Sequence, residues 1–287
     1  MFSKKMTKKS TKNSLAEVKE FIEDADAILI GIGAGMSAAA GLQYFGPRFE
    51  KHFADFKDKY GITDMYSGGF YPFQTKEEYW VWWSRHVYIN RYKPKALKPY
   101  LDLLKLVKDK NYFVLTTNVD HQTPKAGFDK ERLFYTQGDY GLFQCSVPCH
   151  NETYDNEAII KKMVEQQKDM KIPTELIPKC PKCGADMTMN LRIDNRFVED
   201  EGWHKAQARY EKFLAENEQK KIVYLELGVG MNTPGIIKYP FLQMTSQNPQ
   251  AEFITFNAQR FEYPVQLEPQ IIQIVGDIAE NLSELVN

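Results

Sequence analysis

Several things are scarce in this 287-residue chain. No apolar run, not even AILIGIGAGM, approaches the roughly 20 residues needed to cross a bilayer, which argues against a membrane protein. Neither sign of charge dominates: 37 Lys plus Arg face 38 Asp plus Glu, for a formal net charge of −1. A broadly basic nucleic-acid surface is therefore not expected. There are only four cysteines, and their spacing suits metal ligation and not a disulfide framework, so a reducing cytoplasm fits. The N-terminus, MFSKKMTKKSTKN, has five lysines but lacks the apolar core of a secretory signal and the arginines of a mitochondrial presequence. It reads as a solvated, flexible tail.

What is present alternates between helix and strand. Ser14 stands as the cap of a helix with Leu15, Val18, Phe21 and Ile22 at helical spacing and Glu17 at the capping-box position. AILIGI follows as a buried parallel strand, then a glycine turn and a helix start at MSAAAG. KALKPYLDLLKLVKDK predicts an amphipathic helix, and YFVLTTN and RLFYTQG predict two further strands. After a polar helix in GWHKAQARYEKFLAENEQKK come three strands, IVYLELGVG, EFITFN and QIIQIVGD, and a final helix in IAENLSELVN. This order predicts an α/β fold with a parallel sheet and helices on both faces. Residues 1–13 form the tail, and 14–44, 93–139 and 199–287 the α/β domain. Residues 45–92 form a helical insertion, in which YWVWWSRHVY is read as core, and residues 140–198 a second insertion holding all four cysteines. Ligands of such sheets bind beyond the carboxyl ends of the strands, where the glycine turn, TTNVD, TQGD, GVGMNTP, FN and GDI should converge.

The glycine turn contains Gly33-x-Gly35-x-x-Ala38, a pattern suited to close backbone approach by a pyrophosphate. No acidic residue ends a second strand, because FGPRFEKHFADF is not strand-like; this disfavours an ordinary NAD(P) dehydrogenase but not dinucleotide binding. Cys145-x-x-x-Cys149 and Cys180-x-x-Cys183 make two close pairs, the second in a turn shaped by Pro181 and Gly184. Four thiolates suit a tetrahedral zinc with no open position, hence a structural one. His150 is an alternative ligand.

Together GAGMSAAAGL, TTNVD with AGF, QGD, the cysteine pairs, GVGMNTP, Asn257 in ITFN and Gly276-Asp277-Ile278 resemble, in order, the motifs of the sirtuin family. The resemblance implies a Rossmann-like NAD-binding domain with a smaller zinc-binding and helical module, with NAD as co-substrate and Zn2+ as structural metal. Four departures stand out. GLQYFGPR replaces GIPDFR, GVG replaces GTS, LRIDNRFVED is more polar than the family's peptide-docking segment, and Gln137 stands where the catalytic histidine is usual. These departures resemble the macrodomain-linked, class M subgroup. That implies ADP-ribosyl transfer to a lipoylated glycine-cleavage H-like carrier and a macrodomain hydrolase to reverse it; a monomer is the family-like default, and the balanced charge and short apolar runs lead to no expected nucleic-acid or membrane partner.

The glutamine bears directly on the chemistry. Breaking the bond between nicotinamide and ribose C1′ passes through a cation-like transition state that needs placement and electrostatics, not a base. Deacylation then needs proton removal from a ribose hydroxyl, help worth about 10²- to 10⁴-fold. Glutamine can hydrogen-bond that hydroxyl but cannot take its proton. Deacylation or delipoylation through Asp139, His121 or water, and a catalytically silent NAD-binding module, are the alternatives.

By motif position, Asn118 should place the reacting ribose, and Asp120 should hold the nicotinamide carboxamide or cap the following turn. Gly33, Ala34, Gly35 and the loop Gly228, Val229 and Gly230 should approach the phosphates. Ser37 either adds a hydroxyl there or caps the helix. Phe45 is retained from the family motif, and Arg48 stands two residues later than the family's arginine, either within reach of phosphate or at the surface. Asn257 should contact ribose and the Ile278 backbone adenine, with Asn232 placed in the pocket. His121 is expected to hydrogen-bond at a helix start or to serve as acid–base group.

Overall fold

The computed structural model describes residues 11–231 and 234–287. Its strands are β1 (Ala27–Ile32), β2 (Tyr112–Thr116), β3 (Leu133–Tyr135), β4 (Gly138–Cys145), β5 (Tyr154–Asp155), β6 (Met187–Leu191), β7 (Ile222–Leu227), β8 (Glu252–Asn257) and β9 (Ile271–Val275). The helices are α1 (Thr11–Asp24), α2 (Ala34–Ala39), α3 (Pro47–Tyr60), α4 (Met65–Gly68), α5 (Lys76–Val87), α6 (Lys98–Val107), α7 (Gln122–Lys125), α8 (Glu157–Gln166), α9 (Glu201–Asn217), α10 (Lys238–Gln247) and α11 (Ile278–Leu285). A π-helical turn, Tyr88–Tyr92, prolongs α5. None of the described helices is long and apolar enough to cross a membrane.

Six strands pair in parallel in the order β3-β2-β1-β7-β8-β9. The chain begins at the centre, steps outward through β2 and β3, and then returns to lay β7 on the other side of β1. That reversal opens a crevice at the carboxyl ends of β1 and β7. β1, β2 and β7 are buried at every residue because helices cover both faces, so they read as continuous apolar runs. Within β1, Ile28, Ile30 and Ile32 join one core with Val18 of α1, Leu103 of α6 and Leu282 of α11. Ala27 and Leu29 face the opposite way, against Phe213 of α9 and Phe241 of α10, following the two-residue period of a strand.

The two insertions share a third core. Phe53 and Phe56 of α3 and Trp80, Trp82 and Trp83 of α5 pack with Phe143 of β4, Ile160 and Met163 of α8, and Met187 and Met189 of β6. The aromatic stripe is core, as expected. β4 lies antiparallel between β5 and β6 in a small second sheet.

Three local readings change. α1 starts at Thr11, so Ser14 lies inside the helix and not at its cap. The stretch after Gln137, where the sequence suggested no strand, is the eight-residue strand β4. Helices α8 and α10 form where the sequence suggested none.

Candidate active site

The crevice is built from two loops set back to back. The Gly33 amide donates to Leu227 O (2.9 Å) and the Gly35 amide to Gly228 O (2.8 Å). A Cβ on Gly33 would lie 2.7 Å from Gly228 O, and one on Gly35 2.7 Å from Gly228 Cα. Gly228 has φ +67°, and a Cβ there would lie 2.3 Å from the Met36 nitrogen. The glycines are thus required first by contact between the β1–α2 turn and the β7 loop, a different reason from direct approach of a phosphate. The contact leaves the amides of Ala34, Val229 and Gly230 without an acceptor among the described residues. Donors of that kind, at the carboxyl edge of a parallel sheet, fit the diphosphate of a dinucleotide.

Beside this cradle lies a closed polar network. The Asn118 Nδ2 hydrogens are shared among Gly33 O (2.9 Å), Ser37 Oγ (2.9 Å) and Tyr100 Oη (3.1 Å). Tyr100 Oη lies 2.8 Å from Ser37 Oγ, which in turn donates to Asp120 Oδ2. Asp120 Oδ1 accepts from the Gln122 amide at 3.0 Å. Burial pushes the Asp120 carboxyl above its ordinary range, against the pull of these donors, and burial likewise raises the Tyr100 phenol. Ser37 therefore neither caps α2 nor is left open for a phosphate; its hydroxyl links Asn118 to Asp120. Tyr100 of α6 was not singled out in the sequence, where it is one apolar-face residue of an amphipathic helix. Since Gly33 O can only accept, the Asn118 amide is oriented, and its Oδ1 is left without a hydrogen-bond donor among the described residues.

Register brings Gln137 to the same edge. β2 pairs with β3 through Thr116↔Tyr135, and Asn118 and Gln137 each stand two residues beyond. The Gln137 carbonyl accepts from the Arg192 amide (3.1 Å), while its side-chain amide is unpartnered among the described residues. Gly138 has φ +90° and leaves no room for a Cβ, which would meet Asn190 O at 2.0 Å, so the turn into β4 is sharp.

His121 is turned elsewhere. It adopts a left-handed backbone (φ 63°, ψ 20°) and makes no cap hydrogen bond, contrary to the helix-start reading. Its Nδ1 lies 2.6 Å from Asp139 Oδ2, and Arg91 Nε donates to Asp139 Oδ1 at 2.7 Å. Burial alone would raise the Asp139 carboxyl, but His121 and Arg91 hold it below the ordinary value. This dyad lines a cavity of about 340 Å3, bounded also by Tyr135, Gly138 and Trp203 and not by Asn118 or Gln137.

The remaining residues fall into two groups. Phe45 is exposed on the loop after α2, and the Ile278 side chain enters the core while its backbone opens α11. Asn257 Nδ2 donates to Val229 O (2.9 Å) and braces the β7 loop. Arg48 points into the helical module, donating to Gln43 O and Ile89 O, and does not join the glycine cradle. Asn232 lies outside the described residues.

The four cysteine sulfurs lie within 4.8 Å of one another, with Cys145–Cys183 at 3.6 Å and Cys149–Cys180 at 3.7 Å. A tetrahedron of zinc–sulfur bonds of about 2.3 Å has sulfur–sulfur edges near 3.8 Å, so the cluster fits zinc. His150 is not needed as a ligand: its Nδ1 sits 2.9 Å from Cys149 Sγ and its Nε2 2.7 Å from Tyr154 Oη, the place of a supporting partner.

Residues 33–220 match the model of the Sir2 family. A Staphylococcus aureus protein named as a protein ADP-ribosyltransferase is 42% identical over 270 residues, covering 93% of this chain and 86% of its own length. A Fusarium oxysporum protein, named as a probable bifunctional ADP-ribose hydrolase/ADP-ribosyltransferase, is 32% identical over 79% of this chain but only 39% of its own length. Among solved structures, Sir2Tm bound to a propionylated peptide superposes with a TM-score of 0.62 at 17% identity, over 94% of this chain and 96% of that one. A Sir2 homologue in complex with NAD gives 0.60 at 19%, over 94% and 92%. At these identities the two structures establish the fold.

Proposed function

The chain belongs to the Sir2 family and is an NAD-dependent protein ADP-ribosyltransferase, and on that premise we propose how the site favours transfer and what it modifies. NAD supplies the ADP-ribosyl group: its bond from C1′ to nicotinamide breaks, nicotinamide leaves with the electron pair, and C1′ bonds to a nucleophilic atom of the acceptor protein. Asn118, held by Gly33, Ser37 and Tyr100, presents Oδ1 to a ribose hydroxyl. Asp120, buried beside Ser37, orients the nicotinamide amide. The free backbone donors of the two glycine loops take the diphosphate.

The observation that carries this reading is Gln137, level with Asn118 at the strand edge with its amide unengaged. It can hold a hydroxyl but not remove its proton. The imidazole next along the chain from Asp120, His121, is committed to Asp139 in a cavity that Gln137 does not line.

The acceptor in this reading is a lipoylated glycine-cleavage H-like carrier, with a macrodomain hydrolase removing the mark. The motif departures support both, and the fungal relative's name pairs hydrolase and transferase in one protein. Delipoylation through the His121–Asp139 dyad is the competing reading, favoured only by the presence of that imidazole–carboxylate pair. Intact-mass spectrometry of carrier, lipoylated and unmodified, with enzyme and NAD separates them. An ADP-ribose increment confined to the lipoylated form is expected. Loss of the lipoyl mass, abolished by His121→Ala, would overturn the argument from the missing base.

A further inference from the structure

The helical module contains a second cavity, of about 320 Å3, between the first turns of α3 and the π-turn. It is lined by Leu42, Ile89, Arg48, Lys51, His52 and Lys93, and no carboxylate is among its walls. None of the cofactor glycines borders it.

Its construction is specific. The π-turn closes with the Lys93 amide donating to Tyr88 O at 2.8 Å, and the Ile89 carbonyl accepts instead from Arg48 Nη2 at 2.9 Å. Arg48 Nη1 donates to Gln43 O at 3.1 Å. The half-buried guanidinium is thereby locked, with Nε–H and one Nη2 hydrogen unpartnered among the described residues. Lys51, Lys93 and the His52 ring have no hydrogen-bond or ion-pair partner among the described residues either. Of the three acids of α3, Asp55 is engaged by Arg85 and Glu50 by Lys57, and Asp58 does not line the cavity. Facing the imidazole are Arg48 and Lys51 of α3, Arg85 of α5 and Lys93 after the π-turn; burial first, then these cations, hold it below the ordinary histidine value. Unpaired cations gathered around a cavity repel one another, so they add nothing to the empty fold. A π-turn is also a common mark of functional sites.

We propose that this cavity is an anion site for a small phosphorylated metabolite, held by Arg48, Lys51, His52 and Lys93. Four basic groups around one space match a phosphate dianion, and the remaining volume admits a small organic body. The site is independent of the acceptor's identity.

Inorganic phosphate is the probe, titrated into the intact protein with and without saturating NAD while the His52 ring is followed by NMR. Saturable binding is expected, with the ring's titration midpoint moving up as the dianion favours its charged form. The midpoint should be unchanged by chloride at equal ionic strength. Lys51→Gln with Lys93→Gln, both exposed and so compatible with folding, should weaken phosphate binding by about tenfold or more, while the thermal unfolding midpoint without phosphate confirms the fold. Equal responses in wild type and double variant, or an equal response to chloride, would refute the site. Displacement of phosphate by NAD would do so as well, by making the cavity an arm of the cofactor crevice.

Discussion

Asn118→Ala tests whether the polar network serves catalysis or only the fold. The substitution removes one amide that links the β1–α2 turn, Ser37 and Tyr100 to the end of β2. Of the three acceptors, Gly33 O keeps the Met36 amide, and the Ser37 and Tyr100 hydroxyls keep each other. The structural loss is then that of a net hydrogen bond or two with partial unsatisfied burial, about 1–3 kcal/mol. Against a typical reserve of about 5–15 kcal/mol the protein stays folded. Its melting point should fall by about 2–10 °C. The catalytic loss is separate, because Oδ1 has no partner among the described residues: in the proposed role, removing it frees the reacting ribose, and misplacement of that order costs about 10²-fold in rate. NAD affinity by calorimetry should change by less than about tenfold, since the diphosphate donors are backbone groups elsewhere. Nicotinamide release and ADP-ribosylation of the carrier should both drop at least 100-fold. If transfer persists within about threefold while the melting point falls as expected, Asn118 is a brace and the assignment of Oδ1 is wrong. If binding, turnover and melting point are all untouched, Asn118 serves neither the reaction nor the fold, and its placement at the reacting ribose fails.

Three further outcomes follow from other parts of the molecule. Gly228→Ala forces a left-handed residue and drives a Cβ into the Met36 nitrogen, so it should cost more than about 2 kcal/mol in urea denaturation and weaken NAD binding, whereas Gly184→Ala, with open space around it, should leave NAD binding unchanged. Cys183→Ser should lower bound zinc, assayed with a chromogenic chelator, from about one per chain to near zero and melt the β4–β6 module at lower temperature; full zinc retention would contradict the four-thiolate site. His86, wholly buried with its Nε2 2.8 Å from Tyr140 Oη, is pushed down to about 3 by burial, then by Arg48. Its neutral form supports the fold fully above the unfolded value of 6.5, and that support is lost as pH falls through the window from 6.5 toward 3. Stability should therefore drop by about 2 kcal/mol between pH 6.5 and 5 from this group, and His86→Gln should flatten that slope.

Much of the fold was legible because β1, β2 and β7 are covered on both faces, which imposes apolar runs that any reader of sequence can find. The cysteine spacing was legible for a similar reason, since a metal demands its ligands close together in space and a tight turn supplies two of them. What escaped is what depends on contact between distant segments. Nothing local distinguishes Tyr100 from the other residues of α6, yet it reaches Ser37 and Asn118. The Gly33 and Gly35 pattern was visible, but its first cause, the approach of Gly228, lies nearly two hundred residues away. β4 escaped because a strand in a small antiparallel sheet is recognised by its partners, and β5 and β6 follow at a distance.

The same distinction explains how a sirtuin frame tolerates a glutamine at its catalytic edge. In the function proposed above, the groups that place NAD are backbone amides and a network of Asn118, Ser37, Asp120 and Tyr100, and among the described residues none of these hydrogen-bonds the Gln137 side chain. Loss of a base at that position therefore costs the fold and the cofactor cradle nothing, while it removes the proton transfer on which deacylation rests. His121 does not restore that transfer without leaving Asp139, which Arg91 and the Gly141 amide hold in place from the other oxygen. A return to deacylation would thus need either a titratable group at residue 137 itself or a break in the His121–Asp139 pair. The first is a single substitution, Gln137→His, and the second disturbs a buried carboxylate. If Gln137→His leaves NAD binding intact and yields acyl loss at about 10²-fold or more above wild type, the division between cradle and base is confirmed. If it yields none, the barrier lies in acceptor positioning and not in the missing proton acceptor.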